Sequence, residues 1–341
     1  MKRALTEGNS STPKDIEREL NLVQAVNEAL DLAMARDERV MLLGEDIGKN
    51  GGVFRATEGL WKKYGDERVV DTPLAEIGIM GSAIGLAVGG LRPVAEIQFD
   101  GFMPAIFDQV VCHLGRLRSR SRGKMTVPLV VRAPHGGLIH APEHHSESPE
   151  AYFCHTPGIK VVIPSTPHDA KGLLLAAIED EDPVIFFEPK RIYRAARGEV
   201  PAGHYTVPLG KARLAREGSD VTIISWGAMV ETCLAAADEL ASGGKSAEVL
   251  DLRTLAPLDL DAILASASKT GRVVIAHEAP NTGSWAAEIA ALVGERALLK
   301  LQAPVKRVGS WDVRMPLFRL EKYYIPDAGR VAAAARETLA F

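Results

Sequence analysis

The sequence predicts an α/β protein built from two parallel-sheet, three-layer domains. Apolar runs without polar alternation, such as Val40-Met-Leu-Leu43, Lys160-Val-Val-Ile163 and Pro183-Val-Ile-Phe-Phe187, read as strands buried on both faces. Helical patterns lie between most of these runs, the alternation expected of a parallel sheet covered by helices. The alternation stops in a polar stretch and then starts again, which divides 341 residues into two units.

Met1 to Lys14 reads as a mobile tail, with no apolar segment that would make it a secretory signal. Ile16, Leu20, Val23, Val26, Leu30 and Ala33 recur at helical spacing and predict a first helix over 16–36, with Asp15 as its N-cap. Strands are predicted at 40–43, 68–71, 94–99, 129–132, 160–163 and 184–188, and helices at 58–64, 77–88, 103–118 and 168–178. From Pro189 to Ser219, arginines, glycines and prolines mark a polar connection. The first domain is therefore placed at 15–195, the linker at 196–218 and the second domain at 219–341. That second domain has predicted strands at 221–226, 247–252, 272–277 and 305–308, and helices at 229–241, 260–268, 285–293 and 329–339.

Composition narrows the function. Forty basic and 44 acidic residues give a net charge of −4, which argues against a nucleic-acid scaffold or a polybasic membrane binder. The apolar stretch from Ile77 to Leu91 is glycine-rich and too short to span a bilayer. Cys112, Cys154 and Cys233 are far apart and form no disulfide framework or cysteine-rich zinc site, so the cytoplasm is the expected compartment.

Three segments carry candidate chemistry. Glu45 and Glu76 lie just beyond predicted strand ends, the edge where α/β sheets bind ligands. Glu76 also opens the glycine-rich helix 77–88, where the helix dipole favours a carboxylate, so capping and function both account for it. The small residues of that helix, Gly78, Gly81 and Gly85, suit close approach by another helix or a cofactor. Phe102 follows a further strand, and core packing is the competing fate for its ring. The stretch from His135 to Glu147 is rich in histidine. His140 and His144 have the i, i+4 spacing of a zinc pair, but Pro142 between them argues against a helix. A polar functional loop with an imidazole that can titrate near neutrality is the favoured reading. No G-x-S-x-G elbow is present, nor a Gly-Asp-Gly motif with a downstream asparagine for holding a diphosphate through magnesium.

Longer runs then become recognisable: Leu43-Gly-Glu-Asp46, Asp71-Thr-Pro-Leu-Ala-Glu76, Glu96-Ile-Gln-Phe99, His145-Ser-Glu-Ser-Pro-Glu150, Phe186-Phe-Glu-Pro-Lys190 and His277-Glu-Ala-Pro280. With these, nearly the whole chain after the tail resembles the beta subunit of the thiamine-diphosphate-dependent 2-oxo acid dehydrogenase component. The branched-chain members look most similar, and pyruvate and acetoin members share many of the same runs. The resemblance implies a transketolase-like pyrimidine-binding domain, a transketolase C-terminal domain and an alpha subunit that carries magnesium and the diphosphate. The expected assembly is an α2β2 heterotetramer. It would decarboxylate a 2-oxo acid and acylate the lipoyl domain of a dihydrolipoyl acyltransferase core.

Carried over by residue, Glu76 matches the glutamate that hydrogen-bonds the aminopyrimidine, Glu45 a second carboxylate near the site, and Phe102 an aromatic that packs on the ring. His145 matches a histidine near the lipoyl group. The resemblance also implies a potassium ion held mostly by backbone carbonyls at Val127, Leu129, Val130, Ala177, Asp180 and Asp182. Glu147 departs from the family's usual glutamine, and His140 and His144 also depart from the family's residues in this loop, which bears on the substrate. Two rivals from other classes are a non-catalytic interaction subunit of the same fold and a metallohydrolase built on the histidine loop.

Overall fold

The computed structural model describes residues 17–341. The tail at 1–14, the predicted cap Asp15 and Ile16 lie outside those residues. The first helix begins later than its periodicity predicts. Strand β1 (Glu17–Asn21) comes first, and α1 runs over Leu22–Arg36. Asn21 is the cap: its side chain accepts from the Gln24 N–H at 2.9 Å, and the Gln24 side chain accepts from the Asn21 N–H at 2.9 Å. Leu20 belongs to β1, which pairs antiparallel with a strand at 197–201. That partner is some 180 residues distant, beyond the reach of a local pattern.

The first half continues through β2 (Val40–Gly44), α2 (Leu60–Tyr64), β3 (Val69–Asp71), α3 (Glu76–Val88) and β4 (Arg92–Glu96). Next come α4 (Leu117–Arg120), β5 (Val130–His135), α5 (Glu150–Cys154), β6 (Lys160–Val162), α6 (Pro167–Glu179) and β7 (Val184–Pro189). The second half comprises β8 (Arg197–Pro201), β9 (Arg213–Arg216), β10 (Val221–Ser225), α7 (Met229–Ser242), β11 (Ala247–Asp251) and β12 (Thr254–Ala256). It ends with α8 (Leu260–Thr270), β13 (Val273–Pro280), α9 (Trp285–Ala297), β14 (Lys306–Ser310), α10 (Glu321–Tyr324) and α11 (Ala328–Leu339).

A seven-stranded sheet has the order β12-β6-β7-β5-β4-β2-β3, and a five-stranded sheet the order β14-β13-β10-β11-β9. All pairs are parallel except the edge strands β12 and β9. The two sheets are linked through β12. β12 follows the second sheet's β11 in the chain, yet it pairs with β6 of the first sheet. One buried apolar cluster accordingly runs from Ile163 and Phe187 to Trp226 and Leu252. The stretch read as linker carries β8 and β9, each paired to a distant strand.

The predicted helix over 103–118 is also corrected. The segment is a 3-10 turn at Asp100–Ile106, a π turn at Gln109–His113, a second 3-10 turn and α4. Pro104 supplies no N–H to a regular ladder. At Gly115 an added Cβ would lie 2.8 Å from the Pro157 carbonyl oxygen, so tertiary contact with the 157–159 turn sets the path here.

His277, on β13, is fully buried. Its ring stacks on Trp226 with centroids 5.6 Å apart and planes 6° from parallel. Burial, reinforced by Arg307, pushes its pKa down to about 4. The unfolded chain therefore binds a proton between about pH 6.5 and 4 that the folded chain refuses. The expected result is an acid loss of about 3 kcal/mol across that window. Replacing His277 with Phe should remove this component from a urea-unfolding series run at pH 7 and pH 4.5.

Candidate functional site

The candidate residues converge at the carboxyl ends of four adjacent strands. Glu45 follows β2, Glu76 opens α3 after β3, and Asp100 to Phe102 follow β4. The loop at 136–149 leaves β5. This is the edge at which open parallel sheets bind ligands.

Glu45 is only 8% exposed, and its Oε1 is buried with no hydrogen-bond partner among the described residues. Burial raises its pKa, and the nearby charges of Glu76 and Asp46 raise it further. A raised carboxyl pKa stabilises the fold below the unfolded value and costs stability once pH rises through the folded value. Glu45→Gln should therefore raise the melting temperature of the isolated chain at pH 8, and the gain should vanish near pH 4. No gain at pH 8 would show that the carboxylate is not strained.

Glu76 is half-buried. Beside it the small face of α3 is uncovered: a Cβ added at Gly81 or Gly85 would meet nothing within 4 Å. Leu74 is 81% exposed and Ile77 57% exposed on the same stretch. An apolar helix face left open beside a ligand-binding edge suits a second protein surface.

Phe102 and His145 form an aromatic wall. Their ring centroids are 5.4 Å apart in an edge-to-face arrangement, and Phe99 lies 4.1 Å from His145. The His145 Nδ1–H donates to the Glu143 carbonyl at 2.7 Å, so Nε2 is left free to take or give a proton. Glu147 is half-buried, with its pKa raised by burial and by Asp100. It lines a cleft of about 670 Å³ between this loop and residues 312–315.

His140 and His144 have left-handed backbones, with φ of 58° and 67°. Their spacing therefore places them on no helical face. Among the described residues no group of three or more His, Cys, Asp or Glu is arranged to hold a metal ion. The six positions named for potassium lie just before and at the start of β5, near the end of α6 and just before β7. Leu129 O accepts from Val184 N, Val127 O from Leu129 N, and Asp180 O from Arg92 Nη1 at 3.1 Å. Lys160 Nζ lies 2.5 Å from the Asp180 carboxylate. The donors are hard oxygens of the right type. Several are already engaged, however, and two cationic side chains sit against Asp180.

Sequence reasoning missed Asp100, His135 and Lys190, which are buried beneath the loops. Their signal was a charged residue inside an otherwise apolar run, as in Phe187-Glu-Pro-Lys190.

Two tandem α/β sheets, with acidic residues and an open helix face at one sheet edge, define a transketolase-type subunit. Residues 18–196 match the transketolase pyrimidine-binding domain, and residues 210–331 match the transketolase C-terminal domain. In fold, the chain is similar to the split-gene transketolase of an inactive beta4 tetramer. The TM-score is 0.75 at 24% identity, covering 94% of this chain and 98% of that one. It is 50% identical to the pyruvate dehydrogenase E1 component subunit beta of Bacillus subtilis, over 95% of this chain and 99% of that protein. It is 51% identical to the mitochondrial 2-oxoisovalerate dehydrogenase subunit beta of Dictyostelium discoideum, over 95% and 88%. The chain belongs to the family of 2-oxo acid dehydrogenase E1 beta subunits, oxidoreductases that depend on thiamine diphosphate. Among the described residues no helix is long and apolar enough to cross a membrane.

Proposed function

We propose that this chain, with an alpha subunit in an α2β2 heterotetramer, decarboxylates a 2-oxo acid on thiamine diphosphate. The acyl group then passes to the lipoyl domain of a dihydrolipoyl acyltransferase core. A branched-chain 2-oxo acid is the favoured substrate on the sequence runs around Glu96 and Glu188. Relatives named for pyruvate and for 2-oxoisovalerate are equally similar, so pyruvate is the second reading. Neither acetoin nor a non-catalytic role is favoured by any observation of the site. The cytoplasm is the proposed compartment.

The observation that carries this reading is the Glu45–Glu76 pair at an uncovered sheet edge. A buried carboxyl oxygen without a partner among the described residues, next to a second carboxylate, fits the hydrogen-bonding edge of an aminopyrimidine. Thiamine diphosphate, when bound, supplies the carbon acid and electron sink that decarboxylation needs. Glu76 would share a proton with the pyrimidine ring, and Glu45, its pKa raised by burial and by the neighbouring Glu76 and Asp46 charges, would stand beside it as the second carboxylate near the ring. Phe102 would offer its face to the ring. His145 Nε2 would hold the proton exchanged with the lipoyl sulfur. Magnesium and the diphosphate would belong to the alpha subunit. Potassium at the six named positions stays part of the proposal, supported by the oxygen donors alone.

The test is reconstitution. The isolated chain should show no decarboxylation of 2-oxoisovalerate or pyruvate, and adding its alpha subunit with thiamine diphosphate and magnesium should restore turnover. Full activity from the isolated chain, or none from the assembled complex with either acid, would refute the reading.

A further inference from the structure

We propose that Lys190 is a positioning residue. Acting through Asp100, it fixes the segment that carries Phe102 and the loop that carries His145 against one another. The proposal rests on the reading of the site given above and deepens it.

Asp100 sits between Phe99 and Gly101, so its backbone leads directly to Phe102. Its side chain and that of Lys190 are both fully buried. Lys190 Nζ donates to Asp100 Oδ1 at 3.1 Å and to the Pro134 carbonyl at 3.2 Å. Asp100 Oδ2 accepts from the Gly136 N–H at 2.8 Å, and His135 Nδ1 lies 3.4 Å from the same oxygen. Three separate pieces of chain thus meet at one carboxylate: the end of β7, the start of the histidine loop and the turn after β4.

The contact extends outward from that carboxylate to the aromatic wall. The Lys190 ammonium stands 5.5 Å over the Phe99 ring, and Phe99 in turn touches His145. At Gly101 an added Cβ would fall 1.8 Å from the His144 carbonyl oxygen, so the two backbones abut with no side chain between them. Neither the turn after β4 nor most of the loop at 136–149 is held in a sheet ladder or a regular α-helix. A buried ion pair whose carboxylate belongs to the turn after β4, and which also satisfies the Pro134 carbonyl and the Gly136 N–H where the loop leaves β5, is the fixed point available to both. Misplacing a reacting group by about 1 Å can cost about 100-fold in rate.

Removing one partner alone would strand a buried charge and threaten folding. The decisive variant therefore removes both charges together, as Lys190→Met with Asp100→Asn, which leaves an oxygen for the Gly136 N–H. It is assembled with the alpha subunit and compared with the wild-type complex. The readouts are decarboxylation of 2-oxoisovalerate with an artificial electron acceptor, acylation of an isolated lipoyl domain, and the KM for thiamine diphosphate.

With far-UV circular dichroism unchanged, we expect lipoyl acylation to fall at least tenfold and the KM for thiamine diphosphate to rise severalfold. In a His145→Ala background the same pair of changes should slow acylation by less than twofold, because the group being positioned is gone. Wild-type constants in the folded double variant would overturn the proposal. So would an equal loss on both backgrounds, which is the mark of a purely structural role. Failure of the underlying site reading looks different: His145→Ala by itself would then leave acylation at the wild-type rate.

Discussion

Replacing Glu76 with Gln should leave the assembled complex folded and lower its turnover by about 10²–10⁴-fold, the range typical of losing one positioned acid–base group. The stability cost should stay below about 1 kcal/mol. Glu76 is half-buried, and it has no side-chain hydrogen bond among the described residues. What the fold loses is chiefly a favourable charge at the first turn of α3, a contribution of about 0.3–1 kcal/mol. This separation of activity from stability distinguishes catalysis from capping, the two roles its position allows. Steady-state decarboxylation and a melting curve of the same preparation decide the matter. Activity within threefold of wild type would assign Glu76 to the helix and not to the chemistry.

Arg132→Met should have the opposite profile: a large loss of stability before any question of activity arises. Arg132 lies at the centre of the seven-stranded sheet with its side chain 2% exposed. Its Nη1 donates to Glu96 at 2.8 Å, and its Nε and Nη2 donate to Glu188 at 2.6 and 2.8 Å. Tyr193 donates a further hydrogen bond to Glu188. Burial by itself would lower the guanidinium pKa, but the charges of Glu188 and Glu96 outweigh it and hold the group charged. Without it, two buried carboxylates face each other unpaired, and breaking such a pair costs about 3–5 kcal/mol.

The pH dependence of this loss is also fixed in sign. Glu96 already has a pKa raised by burial despite the opposing pull of Arg132. Removing the arginine raises it further. A raised carboxyl pKa costs stability as pH climbs through the folded value, so the variant's deficit should be largest at pH 8 and should shrink towards pH 5. Urea denaturation at both values tests this. A deficit below 1 kcal/mol at pH 8 would mean that water or other side chains reach these carboxylates.

The elements that could be read from the sequence are those set by near neighbours. The run Val40 to Leu43 is apolar at every position because both sheet faces are covered, and it forms β2. The helices α7, α8, α9 and α11 begin within a residue of their predicted starts, since each carries its own periodicity and, for α8 and α11, an aspartate cap. Glu45 and Glu76 were legible as site candidates for the same local reason: each stands a few residues past a strand. The strand β12 was not legible, because three residues carry little pattern and its partner belongs to the other sheet. The helix predicted over 103–118 failed at Pro104 and at Gly115, whose backbone is fitted to a turn more than forty residues further on.

The sequence by itself determined the parallel α/β class, the tandem arrangement and the two carboxylates at the sheet edge, because each depends on residues within one strand or one helical turn of each other. Tertiary structure alone decided which charges meet in the interior. Arg132 finds Glu96 and Glu188, and Lys190 finds Asp100, across separations of 36 to 90 residues. A charge in an apolar run shows only that a partner must exist, since an unpaired buried ion is too costly to keep. Which residue answers it depends on strand order, and strand order becomes definite only when the sheet closes.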